Sequence, residues 1–166
     1  IMKRLLPIVL LAGCCLLLAA PAYAATFTVD KSLPEDTFNK HSLGDAIIEA
    51  ELYGGSGHLI EIKADTYSEG NLSPNVAALA EIYGDPGAAA EDIIFTGPAP
   101  TDDFLALGDG LIVENMKLVG YNNGFTGSGI TGTILDNIII EGASGIGINV
   151  SGWTTGLVNG LVFSNL

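Results

Sequence analysis

Four short segments of this chain are copies of one another at a nearly constant spacing, and that self-similarity limits the fold more than any single residue does. EDIIFTG beginning at Glu91 is followed by ENMKLVG at Glu114, DNIIIEG at Asp136 and VNGLVFS at Val158, at intervals of 23, 22 and 22 residues. A unit this short cannot bury its own apolar face, so it has to stack on its neighbours in a regular array. Leucine-rich repeats are the competitor at this length, but their dense leucine ladder is missing, and a coil of strands and turns fits better. From Ala78 onward the chain is short β-rich runs separated by Gly, Asn, Asp, Pro and Ser, with no stretch that sustains a 3.6-residue period.

Aligning the copies predicts columns. Val113, Leu135 and Leu157 form one apolar column, Met116 and Ile138 a second, and Phe95, Leu118 and Ile140 a third. With neighbouring repeats roughly 4.8 Å apart, each of these residues packs on its homologue above and below. Asn115, Asn137 and Asn159 make a polar column, with Asp92 at its upper end. Amides stacked at that spacing donate and accept along the ladder, so a structural role is expected for them and not a catalytic one. Glu91, Glu114 and Asp136 precede that ladder and are expected to point outward on successive repeats. Stacked like charges are destabilising, so the column is either a calcium site or a set of carboxylates that fan apart in water.

The first part of the chain reads differently. Residues 26–29 alternate as a strand, and Ser42 with Asp45 forms an S-x-x-D box ahead of Leu43, Ala46, Ile47 and Ala50 at helical spacing. Glycines 54, 55 and 57 end that helix, and residues 58–63 follow as a strand with Ile60 and Ile62 on one face. Further upstream, Lys3 and Arg4, an apolar run over residues 5–20 and Pro21-Ala22-Tyr23-Ala24 make an export signal with an A-x-A cleavage site before Ala25. A membrane anchor is one rival reading. A lipoprotein box, Leu11-Ala12-Gly13-Cys14, is another; it would place a lipid on Cys14 and is the one route by which a membrane becomes a partner. The expected organisation is therefore residues 1–24 as signal, 25–57 as N-terminal strand and capping helix, and 58–166 as stacked repeats.

Charge and cysteine usage then narrow the function classes. Removing the signal takes Lys3, Arg4, Cys14 and Cys15 with it, leaving four lysines, no arginine and no cysteine against 19 acidic residues, a net charge near −15. Nucleic acid is excluded as a partner, because displacing its counterions needs clustered Lys and Arg. Disulfides and thiolate metal sites are excluded in the same way.

The order of motifs resembles the right-handed parallel β-helix superfamily of pectate-lyase-like proteins: an N-terminal strand and helix, Ala64-Asp65-Thr66-Tyr67-Ser68-Glu69, Gly84-Asp85-Pro86-Gly87, then coils of about 22 residues with an Asn ladder. Asp65-Thr66-Tyr67 occupies the place of the G-T-Y turn common in these proteins. The resemblance implies an all-β solenoid of three stacked parallel sheets whose outward side chains face elongated glycans. Members include lyases, hydrolases, esterases, tail spikes and adhesins, so the fold alone does not select an activity.

A pectate-lyase-like reaction uses an Arg base and calcium, and the mature chain has no Arg; Lys117, outward between Met116 and Leu118, reads as a solvated side chain. Glycoside hydrolysis needs two carboxyls, and Asp102, Asp103 and Asp109 cluster around a turn as candidates for such a pair or as cation ligands. Trp153 and Tyr121 would stack on sugars if exposed. The chain stops at Leu166 inside its fourth copy without a polar cap, so a truncated product is expected. No complete active site is visible. The expected function is a secreted or cell-surface scaffold or adhesin-like module facing extracellular polysaccharide. The alternative is the N-terminal part of a polysaccharide lyase or glycoside hydrolase whose catalytic residues lie beyond Leu166.

Overall fold

The computed structural model describes residues 24–164. The signal-like segment, apart from Ala24, lies outside the described residues, as do the lipid-box residues and Cys14.

Parallel pairing dominates. The strands are β1 Thr26–Val29, β2 Asn39–Lys40, β3 His58–Ile62, β4 Asp65–Ser68, β5 Leu79–Gly84, β6 Ile93–Thr96, β7 Leu105–Ala106, β8 Ile112–Val119, β9 Phe125–Ser128, β10 Ile134–Glu141, β11 Ile148–Ser151, β12 Leu157–Asn159 and β13 Val162–Ser164. Every ladder between them is parallel. One ladder runs β2-β1-β3-β5-β8-β10-β12, a second runs β4-β6-β8-β10-β13, and a third runs β7-β9-β11. The long strands β8 and β10 belong to both of the first two ladders, one half of each strand to each. The sheet passes unbroken from β1 to β3, joining the N-terminal strand to the repeats across the boundary at residue 58.

The bend that lets one strand serve two ladders lies at Asn115 and Asn137, whose φ values are 57° and 50°. Asn tolerates this left-handed conformation because its short polar side chain bonds locally, and Gly tolerates it without a Cβ. On the neighbouring strand β5, Gly84 is required by close approach: a Cβ there would stand 2.0 Å from the Asn115 carbonyl oxygen and 2.4 Å from Ile93 Cδ1.

Inward residues form the expected columns with one shift. Phe27, Ile60, Ile82, Val113, Leu135 and Val158 stack in register, as do Tyr67, Phe95, Leu118, Ile140 and Phe163. Leu157 is displaced from the first of these: it pairs with Ile134 on the outward side and is 55% exposed. The reason is that the step from the third copy to the fourth is 23 residues, not 22, as Leu135↔Val158 and Ile140↔Phe163 show.

One helix, α1 Leu43–Tyr53, covers the start of the stack and buries Leu43, Ala46, Ile47 and Ala50. Ser42 caps it by accepting from the Asp45 amide at 3.0 Å, while its hydroxyl donates to the Asp45 carboxylate at 2.6 Å. The Glu69 carboxylate accepts from the first helical amides, Leu43 N and Gly44 N, both at 2.7 Å. Among the described residues, the only other helical turn is a 3₁₀ segment, Ala90–Asp92.

Candidate functional site

The face formed by β5, β8 and β10 carries the acidic residues that the repeats brought to attention. Outward from this ladder, Glu61, Tyr83, Glu114, Asp136 and Asn159 occupy one column in register. Tyr83 therefore holds the place expected for Glu91. The 3₁₀ turn and the Asp85-Pro86-Gly87 loop are inserted at the corner of this repeat, so the strand half before the bend comes from residues 79–84 and Glu91 is carried off the column. Asp92 is likewise exposed on that turn. The upper end of the ladder is closed by backbone instead: Asn115 Nδ2 donates to the Asp85 carbonyl at 3.0 Å and the Ala88 carbonyl at 3.2 Å.

The Asn ladder continues one step down, Asn137 Nδ2 donating to Asn115 Oδ1 at 2.8 Å. Asn159 then leaves it. The one-residue shift places Gly160, with φ 59°, at the left-handed position, and Asn159 donates sideways to Asp136 Oδ1 at 2.9 Å. A search for residues that tolerate φ > 0, rather than for Asn as such, would have found Gly160.

The inserted corner and the Asn bend enclose a groove of about 420 Å³ lined by Glu91, Glu114, Asn115, Asp136 and Asn137 among others. The three carboxylates predicted as a calcium column thus reach one groove, though not one column. Among the described residues, no three His, Cys, Asp or Glu side chains close up into a metal-binding group. Glu114 lies beside Glu81, one step along the same outward face. Burial first, and then the charge of the neighbouring Glu114, hold the Glu81 carboxyl above its usual range.

The Asp102, Asp103 and Asp109 carboxylates are engaged in holding loops together. Asp102 accepts from Asn71 Nδ2 at 2.9 Å and from the Ala99 amide at 3.0 Å. Asp103 Oδ1 accepts from Asn122 Nδ2, the Asn123 amide and Asn123 Nδ2, at 3.1, 3.1 and 2.7 Å. Asp109 accepts from the Thr131 amide at 2.7 Å. Most of these bonds join one repeat to the next.

The cations are similarly committed. Lys117 bonds Glu141 at 2.5 Å, Lys40 bonds Glu49 at 3.1 Å, Lys31 approaches Asp65 at 3.6 Å, and Lys63 bridges Glu61 and Asp85 at 2.9 and 3.1 Å. Of the two expected sugar-stacking residues, Tyr121 is buried and Trp153 half-buried. Tyr121 is buried and donates its hydroxyl to the Glu69 carbonyl, and burial pushes its ionisation up. Trp153 packs on the core with its Nε1 buried and without a hydrogen-bond partner.

Comparison with protein-family models, curated proteins and solved structures returns no match.

Proposed function

We propose that this chain is an exported right-handed parallel β-helix of the pectate-lyase-like kind, acting as a secreted or cell-surface scaffold or adhesin-like module that faces extracellular glycans. The observation that carries this reading is the in-register outward column Glu61, Tyr83, Glu114 and Asp136 beside the corner groove. A stack of parallel strands repeats its outward side chains roughly every 4.8 Å, so a polymer lying along it meets similar groups at each step.

Charge narrows the glycan class. Carboxylates in and beside the groove, on a chain with a large acidic excess, repel polyuronates and favour neutral or amino-sugar polymers. The test is co-sedimentation with insoluble neutral, amino-sugar and uronate polysaccharides at low and high salt. Binding to the first two and not to the third is expected, and Glu114→Gln with Asp136→Asn should weaken the amino-sugar interaction while sparing the neutral one. Preference for the uronate polymer, or retention of none of them, would overturn the glycan reading. Release of reducing ends or unsaturated products would overturn the scaffold in favour of an enzyme.

A further inference from the structure

We infer that the Ala24–Ala25 bond is a processing site and that the fold contains a receptor for the amino terminus it releases, with His58 as the acceptor; this rests on the export reading above. Ala25 lies directly after the A-x-A pattern, and both of its backbone groups are held. Its nitrogen donates to His58 Nδ1 at 3.0 Å, and its carbonyl accepts from the Leu59 amide at 2.9 Å. Ala24, one residue earlier, is exposed.

His58 is fully buried, and its partners decide its tautomer. Nε2 lies 3.0 Å from the Gly54 carbonyl, which can only accept, so the ring proton sits on Nε2 and Nδ1 offers a lone pair to Ala25. The ring is wedged edge-on against Phe27 and Tyr53, with centroids 5.7 Å away in both cases. A buried imidazole locked in this orientation is an acceptor aimed at one point, the Ala25 nitrogen.

Cleavage changes what that acceptor meets. Water adds across the amide: its hydroxyl joins the Ala24 carbonyl carbon, the C–N bond breaks, and the Ala25 nitrogen takes the remaining water proton and the proton that the new carboxylic acid gives up, leaving an Ala25 ammonium and an Ala24 carboxylate. A leader-cleaving membrane protease of the host is the catalyst. One neutral N–H is replaced by three charged donors, so the bond to Nδ1 becomes charge-assisted while the remaining donors face water. The charge also suits its surroundings. Gly54 is the C-cap of α1, whose last turn carries no basic residue, and a cation brought there through the imidazole complements the negative end of the helix.

The full chain with its leader is expressed in a secreting host, and the exported protein is examined by intact mass and by the acylation rate of its α-amino group with an N-hydroxysuccinimide ester. The expected product begins at Ala25, and its amino terminus acylates roughly tenfold more slowly in the native protein than in urea, the factor that one such hydrogen bond supplies. His58→Phe should abolish the protection and His58→Asn, which keeps an acceptor, should retain part of it. The native-to-urea ratio of the unsubstituted protein decides the matter if a variant fails to fold. A product that begins at Ala25 but shows no protection overturns the receptor and leaves export standing. A product that begins elsewhere overturns the processing site, and retention of the leader in an unexported chain overturns the export reading along with it.

Discussion

Replacing Asn115 separates two requirements that the corner makes of one residue. The first is conformational: φ is 57°, a region that costs an ordinary L-residue about 1–2 kcal/mol and costs Gly almost nothing. The second is chemical, since the side chain donates to the Asp85 and Ala88 carbonyls and accepts from Asn137 Nδ2. At about 0.5–1.5 kcal/mol for each of these bonds, Asn115→Gly should lose about 2–4 kcal/mol, relieved of strain but stripped of its partners. Asn115→Ala should lose about 1–2 kcal/mol more, because it surrenders the same bonds and adds a Cβ in the left-handed region. Urea unfolding followed by far-ultraviolet circular dichroism measures both values from the shift in midpoint. If Ala proves as stable as Gly, the left-handed bend is absent in solution. If Gly costs less than about 0.5 kcal/mol, the ladder bonds contribute nothing and the Asn column is incidental.

Three further perturbations test other parts of the structure. Gly84→Ala places a Cβ 2.0 Å from the Asn115 carbonyl oxygen, so a loss of about 3 kcal/mol or more is expected, seen as low soluble yield and a lowered unfolding midpoint. Leu135→Ala, fully buried, should cost about 2–5 kcal/mol, whereas Leu157→Ala on the outward side should stay within about 0.5 kcal/mol. Equal losses from the two leucines would restore the 22-residue register. The pH profile follows from opposed groups. Burial raises the Glu81 and Glu69 carboxyls, so their contribution is full below the ordinary 4.5 and is lost as pH climbs through their higher folded values. Asp30, Asp36 and Asp85 are lowered chiefly by hydrogen bonds, so their contribution is full above the ordinary 3.8 and is lost as pH falls through their lower folded values. Thermal melts across pH should therefore peak near the junction of these ranges, and Glu81→Gln should flatten the decline on the alkaline side; a wild-type midpoint that rises steadily to neutrality contradicts the raised carboxyls.

How much of the site was legible depended on whether its partners were near in sequence or near only in space. Glu114 and Asp136 were found because period and alternation put them outward, and β8 and β10 obey both. Glu81 and Tyr83 were missed because the corner between β5 and β6 contains an inserted loop and 3₁₀ turn, which breaks the simple count from one copy to the next. The carboxylates of Asp102 and Asp103 looked available for chemistry because their partners, Asn71, Asn122 and Asn123, are far along the chain. The partner of His58 is hidden for the same reason, its acceptor nitrogen being spent on a residue 33 positions away.

The amino-acid sequence by itself determined the period, the strands at 26–29, 58–62 and in the repeat copies, the Ser42 cap and the glycine stop of α1, because each rests on contacts within a few residues or on a repeat visible along the chain. Tertiary structure decided the register of the last copy, the occupant of each ladder position and the company kept by every carboxylate. Those outcomes depend on where the backbone turns left-handed and on how many residues each corner consumes, and a single extra residue at a corner moves every side chain after it to the opposite face.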